Sequence, residues 1–151
     1  MLELKTDKAV GVEYEQDLAL WYARQAELLR ERRFDQLDLE NLIEELEVAG
    51  KNLRRELNSR LRVLVMHLLK CQFQHDRISG SWLGTLAEQR AEIFDLLEEN
   101  PSFRPVVMEA AIKGYPKAAQ RAAAETGLPE STFPAAIPYS RDQLLDSRFI
   151  P

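Results

Sequence analysis

The sequence predicts an all-α protein, a helical bundle of four to six helices with one long central helix and a proline-rich C-terminal segment. Two observations carry that prediction. Apolar residues recur three and four apart over most of the chain, and one row of leucines keeps this spacing from residue 39 to residue 68. No stretch alternates as a strand would, and there is no internal repeat or low-complexity tract. The chain has 151 residues, 45% hydrophobic and 30% charged, enough for one core to remove about 68–70% of the unfolded surface from water. A single helical domain, residues 1–151, is therefore expected, with residues 1–12 as a flexible N-terminal segment and residues 129–151 as an extended tail closed by a short helix.

The first helix is expected over about Val12 to Arg32, where Tyr14, Leu18, Trp21, Gln25, Leu28 and Leu29 share a face. After a short connector, Phe34 to Leu37, Asp38 offers a carboxylate to the free N–H groups of a second helix beginning at Leu39. On that helix Leu39, Leu42, Ile43, Leu46, Gly50, Leu53, Leu57, Leu61, Leu64 and Leu68 fall in one band about 100° wide. Unbroken to Gln74 it is about 55 Å long at 1.5 Å per residue. The spacing favours continuity, with a kink or turn at Gly50 as the alternative. Its acids come first (Asp38, Glu40, Glu44, Glu45, Glu47) and its bases follow (Lys51, Arg54, Arg55, Arg60, Arg62). The helix dipole accounts for Asp38 and Glu40 only, because it fades within a turn.

Asp76 to Gly80 reads as a loop, and Ser81 as the cap of a third helix carrying Trp82, Leu86, Ile93 and Leu97 before Asn100-Pro101 ends it. Ser102 to Gly127 is helical again, and Gly114-Tyr115-Pro116 is expected to split it, since proline lacks an N–H and clashes with the preceding turn. Gly127 suits a left-handed helix end. Phe133 and Ile137 are expected anchors of the proline-rich segment, and Ser140 with Gln143 forms a capping box for a final helix through Asp146.

Twenty-five acids against 20 bases give a net charge of −5. The lone Cys71 excludes an intrachain disulfide, and the mixed, charged residues Met1 to Val10 lack the pattern of a secretory leader, so the expected compartment is cytoplasmic. The longest nearly uncharged run, Val63 to Leu69, is far below the roughly 20 residues of a membrane span.

Polar groups inside apolar stripes carry the chemical interest, because a buried polar group needs a partner. Arg90 and Gln89 flank Leu86 and should look inward. A buried guanidinium calls for a carboxylate, with Asp17, Glu44, Glu45 and Glu47 as candidates. His67 sits at the edge of the main stripe in a run apolar on every side. A register-fixing hydrogen-bond network is favoured over a catalytic site for these groups. His67, Cys71 and His75 have ligand types at helical spacing, yet the outer pair is about 12 Å apart along the helix, too far for one zinc. Glu40, Glu44 and Glu47 have the spacing to hold a cation, but Glu44 points away from the stripe, which favours a solvated or subunit-covered face. No metal or cofactor is implied. Glycine-rich phosphate loops, Gly-x-Ser-x-Gly, paired CxxC and HExxH are absent.

Tyr14-Glu15-Gln16-Asp17 with Trp21, the run Leu37-Asp38-Leu39-Glu40-Asn41-Leu42-Ile43-Glu44-Glu45-Leu46-Glu47, Met66-His67-Leu68-Leu69-Lys70 and Ser81-Trp82 form a distinctive set. So do Gln89-Arg90, Glu125-Thr126-Gly127-Leu128, Phe133-Pro134 and Gln143-Leu144-Leu145-Asp146. Over about Glu13 to Pro151 this set resembles the bacterial DUF29 family, whose activity is unassigned. The resemblance implies a mainly helical fold. Members often have Trp where Cys71 stands and Cys where Ile137 stands, which implies that Cys71 fills an aromatic slot in a core.

The favoured function is a noncatalytic protein–protein interaction module, a homo-oligomer or a binder of another protein. The alternative is a metal-dependent hydrolase or nuclease acting on a phosphorylated substrate, with candidate residues Asp17, Glu44, Glu47, His67, Lys70 and Arg90. A nucleic-acid binder using Arg54, Arg55, Arg60 and Arg62 is weakly indicated, since these arginines spread around the helix and the chain is acidic.

Overall fold

The computed structural model describes residues 13–151, and every regular element among them is helical. The expected flexible segment, residues 1–12, lies outside the described residues. Helices α1 (Leu18–Arg30), α2 (Leu39–Phe73), α3 (Gly80–Glu99), α4 (Val107–Thr126) and α5 (Arg141–Leu145) are joined by short 3₁₀ turns. The chain divides into two compact units, Met1–Asn52 and Leu53–Pro151, and α2 runs unbroken from one into the other through Gly50.

In the first unit the helix expected over Val12 to Arg32 is interrupted. Residues 13–16 are helical, Asp17 leaves the helical region (φ −146°, ψ 85°), and its carboxylate accepts the Leu20 N–H at 3.0 Å to start α1. Asp17 thus satisfies a free end of α1 instead of bordering its stripe. At the other end Arg32 sits at φ +59°, and the N–H groups of Arg32 and Arg33 return to the carbonyls of Leu29 and Leu28. This is a Schellman ending built without glycine. Trp21 is wholly buried between the edges of Tyr14 and Tyr22, with ring centroids 4.9 and 5.3 Å away.

Asp38 opens α2 as expected. Its Oδ1 accepts the Asn41 N–H, its Oδ2 accepts the Trp21 indole N–H at 3.0 Å, and its own N–H donates to Gln25. One carboxylate therefore caps α2 and ties it to α1. Tyr14 and Tyr22 both donate to Glu45, so α1 grips the side of α2 that carries Asp38, Asn41 and Glu45.

In the second unit Leu57, Leu61, Leu64, Leu68 and Leu69 of α2 are at most 1% exposed. They pack with Leu86, Ile93 and Leu97 of α3, Val107, Ala111 and Ala122 of α4, and Leu144 of α5. At about 1.5–3 kcal/mol for each fully buried leucine, this stretch of the predicted row is a principal source of stability. Ser79, two residues before the expected cap, accepts the Trp82 N–H and starts α3 at Gly80.

Helix α4 is continuous where a break was expected at Gly114-Tyr115-Pro116. Pro116 deprives the Ile112 carbonyl of its helical donor, while Ala111, Tyr115, Ala118 and Ala122 stay buried along one face and hold the register. Gly127 ends α4 at φ +73°, and Ser140 and Gln143 form the expected capping box of α5. Phe133 is buried edge-on against Phe73, and Ile137 packs beside the core, so both expected anchors hold.

Candidate functional site

Arg90, Lys70 and His67, buried inside this framework, are each held by specific partners. Arg90 is buried on α3, and its guanidinium donates from Nε to the Leu144 carbonyl and from Nη2 to the Gln143 carbonyl, both at 3.0 Å. The expected carboxylate partner is thus replaced by two main-chain carbonyls at the end of α5. The planar fork of donors suits such a pair, and Asp146 adds a longer-range attraction. Burial still pushes the guanidinium below its ordinary pKa. Gln89 is buried beside it, and its Oε1 has no hydrogen-bond partner among the described residues.

Lys70 is buried on α2, where its ammonium bonds Glu125 of α4 at 2.8 Å and lies 4.5 Å from the Trp82 ring centre on α3. One cation thereby links three helices through an ion pair and a ring face. The hydrogen bond from Lys70 holds Glu125 below the usual carboxylate range. His67 lies one turn earlier, its Nδ1 2.9 Å from the Val63 carbonyl, and its pKa is lowered chiefly by burial. Cys71 is wholly buried, its thiol pushed up by loss of solvent, while His75 is exposed in the following 3₁₀ turn.

The remaining candidates lie in the first unit. Asp17 is engaged as a helix cap, Glu44 is exposed, and Glu47 pairs with Lys51 at 3.8 Å on the surface. Among the described residues, no three His, Cys, Asp or Glu side chains are placed to share one metal ion. The arginines considered for nucleic acid are dispersed. Arg60 reaches Glu56 and Glu92, Arg54 lies over the Phe103 ring, and Arg62 runs along Gly114 of α4.

Glu45, a candidate partner for Arg90 by sequence, instead pairs with Tyr14 and Tyr22, which the sequence did not join to it. The two tyrosine hydroxyls converge on the Glu45 carboxylate, lower its pKa, and are themselves raised, Tyr14 to about 12. The signal was available: Glu45 follows Asp38 by seven residues, which returns it to the same side of the helix.

Because α1 covers that side, the neighbouring row is open. Leu39 is 58% exposed, Ile43 57% and Leu46 72%. Of the fourteen large apolar side chains that are exposed among the described residues, nine lie between residues 18 and 48. Among the described residues no helix is long and apolar enough to cross a membrane.

These features define an all-α protein whose buried Arg90 and Lys70 join helix to helix. The chain belongs to the DUF29 family: the family model described as a domain of unknown function, DUF29, matches residues 13–150. No curated protein and no solved structure shows significant similarity to it.

Proposed function

We propose that this is a noncatalytic, cytoplasmic interaction protein whose partner is a second copy of itself, docked along the open row Leu39, Ile43 and Leu46. The observation that carries this reading is the concentration of exposed apolar side chains in residues 18–48, greatest at Leu46. Such a cluster on a charged surface is a mark of association. The spacing 39, 43, 46, 50 follows alternating steps of four and three, the seam on which two helices interdigitate, and Gly50 leaves room for a facing side chain.

Charge selects the partner and its direction. Along α2 the acids Glu40, Glu44 and Glu47 precede the bases Lys51 and Arg54. An antiparallel second copy sets the acidic end of each helix near the basic end of the other. A parallel copy would set like against like.

Sedimentation equilibrium tests the reading. The wild type is expected to dimerise reversibly at micromolar concentration, and an Ile43→Ser/Leu46→Ser variant to remain helical and monomeric. A wild type that stays monomeric at several hundred micromolar would overturn the proposal, as would a double variant that dimerises equally well.

A further inference from the structure

A groove in the second unit, independent of the open row, has its own chemistry. It lies open between the 59–66 stretch of α2 and the 117–124 stretch of α4, with a volume of about 530 Å³. Its apolar lining is Val63, Met66, Ala118 and Ala124, and its polar lining is Ser59, Gln120 and three cations, Arg62, Lys117 and Arg121. No carboxylate lines it, in a chain with five more acids than bases. Among the described residues Arg62 and Lys117 have no acid within ion-pairing distance. Arg121 has only a shared one, reaching Glu125 at 3.6 Å while Lys70 holds the same carboxylate at 2.8 Å.

The fold also positions Arg62. A Cβ built on Gly114 would lie 2.9 Å from Cγ of Arg62, so the arginine stem passes over α4 where only glycine leaves room. Arg62 is half-buried. Its stem is therefore constrained before any ligand arrives, which reduces the ordering that binding requires. A guanidinium and an ammonium at the rim of an apolar trough match an anion attached to an apolar body. Phosphate is favoured over carboxylate because three cations can divide its two charges and three oxygens among them. Its volume falls within the range of small-molecule sites.

We propose that this groove binds a small phosphorylated molecule whose body is apolar or aromatic, with Arg62, Lys117 and Arg121 holding the phosphate and Val63, Met66 and Ala118 receiving the body. The groove is short and flanked by two helices, which favours a small ligand over a nucleic-acid backbone needing an extended basic track.

Fluorescence titration with 4-methylumbelliferyl phosphate, an aromatic phosphate monoester, tests the site on the full chain. Saturable binding is expected, at least tenfold tighter than inorganic phosphate measured by competition. Binding should weaken at least tenfold in Arg62→Gln and in Lys117→Gln, and stay unchanged in the control Arg141→Gln. Lys117 is exposed, so its substitution leaves the fold intact and keeps the test decisive if Arg62→Gln fails to fold. Absence of binding at millimolar probe would overturn the proposal. So would equal affinity for inorganic phosphate, binding indifferent to Lys117→Gln, or a single-stranded oligonucleotide displacing the probe at lower phosphate concentration than the monoester.

Discussion

Replacing Arg90 with methionine isolates what the guanidinium does for the C-terminal helix. Methionine keeps most of the aliphatic stem, so the cavity left behind is small, but it offers no donor to the carbonyls of Gln143 and Leu144. The bond to Leu144 is buried, and an acceptor stranded there costs about 1–3 kcal/mol. The bond to Gln143 is only partly buried, so that carbonyl turns to water at little cost. Against the loss stands relief from holding a charge out of water, which lowers the pKa of Arg90 in the folded state. The balance is a destabilisation of about 2 kcal/mol, which at a urea slope of about 2 kcal/mol per molar moves the unfolding midpoint down by roughly 1 M. Circular dichroism in urea measures the midpoint, and hydrogen exchange in Arg141–Leu145 should show the same loss locally. Arg90→Lys should recover only part of it, since one ammonium does not reproduce the fork. A midpoint within about 0.2 M of wild type, or unchanged protection in α5, would refute the assignment of Arg90 as the tie between α3 and α5.

His67 makes stability depend on pH. Its folded pKa lies below the ordinary histidine value, so the unfolded chain binds the proton more readily; stability is full above about pH 6.5 and falls as pH drops through the window below. Urea midpoints between pH 7 and pH 5 should slope less in His67→Leu than in wild type, and identical slopes would refute it. The lowered pKa of Glu125 acts in the same direction at more acidic pH. Gln89→Met should be neutral or stabilise by about 1 kcal/mol, because it removes a buried acceptor that has no donor among the described residues, and thermal unfolding decides it. Arg32→Gly should raise the melting temperature slightly, by about 0.5–1 kcal/mol of relieved left-handed strain, whereas Arg32→Val should lower it.

Local rules read from the sequence held at three helix ends, while the cap of α3 falls at Ser79 instead of Ser81 and Asp17 interrupts the first helix. Asp38, Gly127 and the Ser140–Gln143 box act on N–H and C=O groups within a turn or two, and each stands where the chain order placed it. Gly114-Tyr115-Pro116 failed as a break because the burial of Ala111, Tyr115 and Ala118 is a tertiary effect that outweighs one missing donor. The leucine row shows the same boundary. Its period announced an apolar face from Leu39 to Leu68, and Leu57 onward is covered, but a period cannot say what lies opposite; Leu39, Ile43 and Leu46 are open because α1 grips the adjacent side. Arg90 and His67 were legible as inward-facing groups. The carbonyl partners of Arg90 were not, because they lie more than fifty residues away on a five-residue helix.

The segment after α4 has a bearing on biosynthesis. Tyr139 donates to Gln72, Tyr115 donates to the Pro134 carbonyl, and Leu144 closes over Arg90, so residues 133–145 complete a core whose other walls emerge from the ribosome much earlier. At about 5–20 residues per second the nascent helices wait several seconds with greasy surface bare. A chain stalled before residue 133 would present that surface to chaperones and proteases, because only residues 133–145 cover it.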